Sequence, residues 1–263
     1  MTLDTIRSHC KTLRLPTIPQ VVEQSLKTAQ QEDWSLEMFL QHILEQEVAG
    51  RLQRRVARLT RSAHLPLGKT LASFDQQRLP LRIRRQLSQL CSGAFIDRAE
   101  NILVFGLPGT GKTHFVAALA HEWLQRSYSV LFTPTFKLVG SLLLAKRDYE
   151  LERELRRLDR FQVVILDDLG YVQQSREEME VLFTFLAERY ERRSVVITSN
   201  LVFSQWDQIF KNPLTTAAAI DRVVHHSTII EFGSEMGSVR AEEAARRNRI
   251  QFSDLEVAQS TAG

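Results

Sequence analysis

Two hydrophobic spacings divide this chain. After Ser35, Leu36, Phe39, Leu40, Ile43, Leu44, Val48, Leu52, Val56 and Leu59 recur at steps of three and four, the period of an amphipathic helix. Upstream, "TIPQVVEQSLKTAQQ" opens another helix, with Thr17 as N-cap, Pro19 in the first turn and Gln20 in the capping-box position. Gly50 interrupts the long pattern and predicts a break there between two helices. Beyond residue 81 the pattern changes to short apolar runs: "NILVF" (101–105), "SVLFT" (129–133), "QVVILDD" (162–168), "SVVITSN" (194–200) and "STIIEF" (227–232). The segments between them are long enough for helices, and crossovers of that length join parallel strands. An α/β fold is expected, with a five-stranded parallel sheet flanked by helices and preceded by a small all-helical domain. Residues 63–80 lose the periodicity and carry Pro66, Gly68 and Pro80. The expected organisation is a helical domain over 1–66, a linker over 67–80, an α/β core over 81–235 and a tail over 236–263.

Composition alters this picture little. Hydrophobic content of 43% and charged content of 25% suit a globular chain with a sizeable core. No apolar run approaches the ~18–20 residues of a membrane span, so no membrane partner is expected. The N-terminus "MTLDTIRSHCK" shows no export signal, and Cys10 and Cys91 stand alone, as in a cytoplasmic protein. Charge distribution adds more. Residues 51–85 hold ten Lys or Arg and one acid, Asp75, a local +9 in a chain of net +3. On a helix, Arg51, Arg54, Arg55 and Arg58 share a broad face on which acids look absent. Such a face fits the phosphates of duplex DNA, with strongly salt-dependent affinity. A merely solvated charged face is the alternative.

The most informative stretch is "GLPGTGKT", Gly106 to Thr113. It follows an apolar strand and precedes the helical "THFVAALAHEWLQ", the context a phosphate-binding loop requires. Glycines let backbone N–H groups turn inward around an anion, and the helix adds its positive end. Gly106, Pro108, Gly109, Thr110, Gly111, Lys112, Thr113 and His114 are therefore the candidate ATP-binding residues. Lys112 would reach the outer phosphates and Thr113 would ligate Mg²⁺. "VVILDD" places Asp167 and Asp168 at the carboxyl end of a buried strand, where ligands of parallel sheets bind. Asp167 is the expected partner of the hydrated Mg²⁺, and Asp168 is placed to polarise the attacking water. Asn200, closing "VVITSN", either bonds the γ-phosphate or the water, or simply meets solvent at a strand end. Phe74 lies against the adenine ring or packs in the interior.

Several stretches together resemble one family. "NILVFGLPGTGKTH", "VVILDDLGYV", "LAERYERRSVVITSNLVFSQW" and "AAAIDRVVHHS" look like the IstB-type transposition helper ATPases. These are AAA+ proteins close to the DnaC helicase loaders and DnaA initiators, and the likeness covers roughly residues 5–235. It implies ATP hydrolysis by a homo-oligomer that engages DNA and assists a partner transposase; a DnaC-like helicase loader is the alternative. It also implies an arginine finger supplied by a neighbouring subunit, for which Arg222 in "AAAIDRVVHH" is the candidate; local pairing with Asp221 is the other reading. Arg192 and Arg193 are weaker candidates. The "FKLVGSLLLAKRDYELERELRRLDRF" stretch looks like two extra helices, and Lys137, Lys146 and Arg147 on it are further candidates for DNA contact. Two features depart from the family pattern. Asp168 stands where most AAA+ proteins carry the longer Glu, which implies slow hydrolysis. The chain after the last strand is too short for a complete C-terminal helical lid, which leaves Arg240 only a remote candidate as a lid-borne sensor.

Overall fold

A computed structural model describes residues 3–170, 175–201 and 223–233. The chain divides into two compact units, Met1–Arg61 and Ser62–Gly263.

The first unit holds α1 (Leu3–Thr12), α2 (Ile18–Gln31) and most of α3 (Leu36–Ala63). Cys10, Ile18, Val22 and Ile43 form its buried centre, with Leu3, Ile6, Leu15, Val21, Leu26 and Phe39 packed around them. Ser35 caps α3 through its hydroxyl, which accepts from Met38 N at 3.2 Å. Two local expectations are corrected here. Thr17 does not cap α2 with its side chain. The capping role falls to Glu47 on α3, whose carboxylate accepts from Thr17 N (2.7 Å) and Ile18 N (3.3 Å). Nor does Gly50 break α3, which runs continuously past it. A Cβ at residue 50 would lie 2.3 Å from Thr17 Oγ1, so the glycine is there to let the start of α2 approach.

The second unit is a parallel sheet in the order β2-β3-β4-β1-β5. Its strands are β1 (Asn101–Gly106), β2 (Val130–Pro134), β3 (Val163–Leu169), β4 (Ser194–Ser199) and β5 (Ser227–Phe232). All five coincide with the apolar runs of the sequence. The helices are α4 (Leu81–Ser92), the short α5 (Ala94–Asp97), α6 (Lys112–Gln125), α7 (Thr135–Arg147), α8 (Leu151–Asp159) and α9 (Arg176–Arg189). Alternate strand residues feed two layers, as the period of two requires. Leu103, Phe105, Leu131, Val164, Leu166, Val195 and Ile197 pack with α7, α8 and α9. α6 covers β1, β2 and β4 and is tied to α4, where Trp123 Nε1 donates to Leu90 O at 2.8 Å. Of the two helices between β2 and β3, α7 carries the buried Leu138, Val139 and Leu142. The buried Arg189 donates to the carbonyls of Leu158, Phe161, Gln162 and Ser194, joining the end of α8 to the starts of β3 and β4. Burial lowers its pKa to about 9, which leaves it charged at neutral pH.

The stretch expected as a linker, 67–80, is folded onto this second unit. Phe74 and Leu79 are buried, and Phe74 packs against the rings of His114 and Phe115 at 5.2 and 5.7 Å. Proline and glycine there mark irregular backbone, not a loose tether. Among the described residues, no helix is long and apolar enough to cross a membrane. The tail after residue 233, and with it the question of a lid, lies outside the described residues.

Candidate nucleotide site

The strand order places β4 between β1 and β3, so three strand ends meet at one edge of the sheet. The loop after β1 carries Gly106–Gly111. Gly111 has φ +100°, a left-handed conformation that side chains resist, and it begins α6. At Gly106 (φ +153°) a Cβ would lie 2.7 Å from Phe232 Cβ and 2.9 Å from Phe232 O, so β5 closes against the bare backbone. Thr110 is buried and its hydroxyl donates to Leu107 O at 2.9 Å, bracing the loop from within. Pro108 is exposed at the tip.

Lys112 is only 5% exposed. Its Nζ donates to Gly106 O (2.7 Å), Leu107 O (2.9 Å) and Asn200 Oδ1 (2.6 Å). Asn200 therefore faces the loop lysine, across 88 residues of sequence. Thr113 Oγ1 donates to Asp167 Oδ1 at 3.0 Å. A second hydroxyl, Thr198 Oγ1, donates to the same oxygen at 2.6 Å and accepts from Asp168 N at 2.9 Å. Thr198 was not among the expected residues. It sits inside the quoted "VVITSN", but only the pairing of β3 with β4 shows that it braces Asp167. That pairing shifts register between Leu166 and Leu169, and Asp168 takes φ +58° within the irregularity. In consequence Asp167 is buried and Asp168 exposed, although they are neighbours.

Burial raises the Asp167 pKa, and the like charge of Asp168 adds to it; the Thr198 and Thr113 hydroxyls and the Lys69 charge pull the other way. A hydroxyl and a carboxylate, both hard oxygen donors, fit Mg²⁺. The glycine loop, Lys112 and the start of α6 fit a polyphosphate.

Other expected residues lie elsewhere. His114 Nε2 is 3.1 Å from Ser73 Oγ and 3.3 Å from Thr70 O, so its ring faces the 68–74 turn. Phe74 is buried, with its ring edge 3.5 Å from where a Cβ on Gly111 would stand. The acid-free basic face on α3 is corrected: Glu47 lies one turn before Arg51. Its Oε1 accepts from Arg51 Nε (3.1 Å) and Arg54 Nη2 (3.2 Å). Arg51 also donates to Arg14 O and Arg54 to Thr17 Oγ1. Arg55 and Arg58 are exposed. Lys137 is exposed on α7, whereas Lys146 pairs with Glu180 (2.9 Å) and Arg147 with Glu177 (3.7 Å). Arg192 pairs with Asp159 and Glu188, and Arg193 with Asp159. Arg222 and Arg240 lie outside the described residues.

The family model described as IstB-like ATP binding protein matches residues 8–246. The chain belongs to that family. An insertion sequence ATP-binding protein of Sinorhizobium fredii is 42% identical over 238 residues, 90% of this chain and 80% of that protein. The insertion sequence IS21 ATP-binding protein of Pseudomonas aeruginosa is 35% identical, with 94% and 95% of the two chains covered. Among solved structures, the DnaC helicase loader superposes with a TM-score of 0.53 at 19% identity, covering 63% of this chain and 97% of that one. AMPPCP-bound DnaA from Aquifex aeolicus gives 0.51 at 17%, covering 65% and 51%. These structural likenesses show a fold shared with the helicase loader and the initiator. The family to which the chain belongs is described as ATP binding.

Proposed function

We propose that this protein binds and hydrolyses ATP, assembles as a homo-oligomer on duplex DNA and assists a partner transposase in target selection and integration. The observation that carries the ATPase reading is the convergence of Lys112 with Asn200, and of Thr113 and Thr198 with Asp167, at the ends of β1, β4 and β3. Lys112 and the loop amides hold the outer phosphates. Thr113 and Asp167 hold the Mg²⁺, which when bound offsets charge on the β- and γ-phosphates. Asn200 orients the terminal phosphate or the water. Asp168, exposed beside Asp167, accepts the proton of the attacking water; its short side chain holds that water loosely, so turnover is slow. Arg222 of a neighbouring copy meets the γ-phosphate, which ties hydrolysis to assembly.

The names of the 42% and 35% identical relatives support the insertion-sequence role. The likeness to the helicase loader is one of fold, so the loader reading ranks second. DNA contact falls to the exposed Arg51, Arg54, Arg55, Arg58 and Lys137, with Arg51 and Arg54 also holding Glu47.

The test measures ATP turnover and duplex binding of wild type and Lys112→Ala, with particle mass followed in parallel. Wild type should turn over slowly and assemble on DNA in ATP, and the variant should do neither. A protein that stays monomeric on DNA with ATP would refute the shared-arginine model.

A further inference from the structure

Far from the glycine loop, three metal-ligating side chains come together. His225 and His226 immediately precede β5, and Glu191 lies between α9 and β4. The sheet is parallel and β1 separates β4 from β5, so these residues share its amino edge, opposite the loop after β1. Among the described residues, one ligand atom from each of Glu191, His225 and His226 lies within 4.8 Å of the other two. His226 Nε2 is 3.5 Å from Glu191 Oε1. That is long for a hydrogen bond. It is close to the ~3.3 Å between two ligands of a tetrahedral zinc with bonds of ~2.0–2.1 Å. The two imidazole rings have centroids 4.1 Å apart. All three side chains are exposed, so small side-chain rotations close the remaining gap.

The backbone carrying these ligands is fixed. Asn101, buried at the start of β1, donates through N to His226 O (2.7 Å) and through Nδ2 to Val223 O (3.2 Å). Its Oδ1 accepts from Val195 N of β4 at 2.9 Å. One residue thus holds the segment before β5 and the start of β4 together. Glu191 takes φ +56° in a turn closed by bonds from Arg192 N and Arg193 N to Arg189 O. Next to it, Tyr190 Oη lies 3.1 Å from His225 Nδ1. An outer partner of this kind orients a ligating imidazole, which can be held through one nitrogen and ligate through the other.

We propose that Glu191, His225 and His226 bind a zinc ion, with water as the fourth ligand. Two imidazoles and a carboxylate suit zinc, whereas the hydroxyl and carboxylate at Thr113 and Asp167 are hard oxygens that suit Mg²⁺. The ion joins the entry of β4 to the entry of β5 across β1, and so fastens the last strand of the sheet order to its centre. It does not depend on the nucleotide-site reading.

The experiment strips the full chain with a chelator and titrates it with ZnCl₂ by calorimetry. Wild type should take up one zinc per chain at micromolar concentrations. Glu191→Gln, His225→Ala and His226→Ala should each weaken uptake about tenfold or more, and Asp167→Asn should leave it unchanged. Zinc should raise the melting temperature of wild type and not of the first three variants, because an ion that binds the folded chain stabilises it. Should a histidine variant fail to fold, the nearly isosteric Glu191→Gln decides alone. No uptake by wild type, uptake undiminished in Glu191→Gln, or uptake abolished by Asp167→Asn overturns the proposal.

Discussion

Glu47 in the first unit and Asp167 in the second are both buried carboxylates, yet their surroundings push them in opposite directions. Burial alone would raise the pKa of Glu47. Hydrogen bonds from Thr17 N–H, Arg51 and Ile18 N–H outweigh it and hold the carboxyl below its ordinary value. Both oxygens are used, two donors on each. Asp167 receives two hydroxyls on Oδ1, and among the described residues no hydrogen bond reaches Oδ2. Its pKa is raised. A carboxylate has about four acceptor positions. Filled from within the chain, they make a structural joint; left half-filled beside the glycine loop, they leave room for the Mg²⁺ of the proposed function. The same comparison explains the basic stretch. Arg51 and Arg54 serve the joint, and their meaning could be read only once Glu47 was seen between them and α2.

The contrast can be tested at both ends. The largest effect is expected from Asp167→Asn, which should cut ATP hydrolysis about a hundredfold or more. Its melting temperature should hold, because the asparagine still accepts from Thr113 and Thr198; a matching drop in melting temperature would make Asp167 structural. Next, Glu47→Ala should cost about 3 kcal/mol, since it strands two arginines and two backbone donors. Denaturant melts measure this, and ATP affinity of the folded protein should stay unchanged.

Glu47 also gives a pH signature. Its folded pKa lies below the unfolded value, so its contribution is present above the unfolded pKa and is lost as pH falls through the folded one. Melts between pH 5 and about 3 should show this slope in wild type and less of it in Glu47→Gln. Gly50→Ala should cost about 1–3 kcal/mol by forcing α2 from α3, visible as faster hydrogen exchange in α2. The smallest effect belongs to Arg58→Ala: about one unit off the salt slope of duplex binding, with stability unaltered. If Arg54→Ala instead lowers stability and Arg58→Ala does not, the joint and the DNA-facing surface are separate.

Local spelling made much of this legible. Each strand is a short apolar run bounded by polar residues, and the loop, Asp167 and Asn200 sit at strand ends where parallel sheets gather ligands. What stayed hidden depends on long-range pairing. Thr198 matters because β3 and β4 align as they do. Glu47 caps a helix that begins 29 residues earlier. Gly50 looked like a break because sequence shows the missing side chain and not the Thr17 methyl and hydroxyl that need the space. The 67–80 stretch read as a tether because lost periodicity reports irregular backbone and is silent on burial.

Thr198 lies in β4 and Asn200 just past its end, one bonded to Asp167 and the other to Lys112. A short stretch of chain thus joins the contact with the loop lysine to the contact with the buried carboxylate. A substitution that shifts the end of β4 should therefore disturb both contacts together.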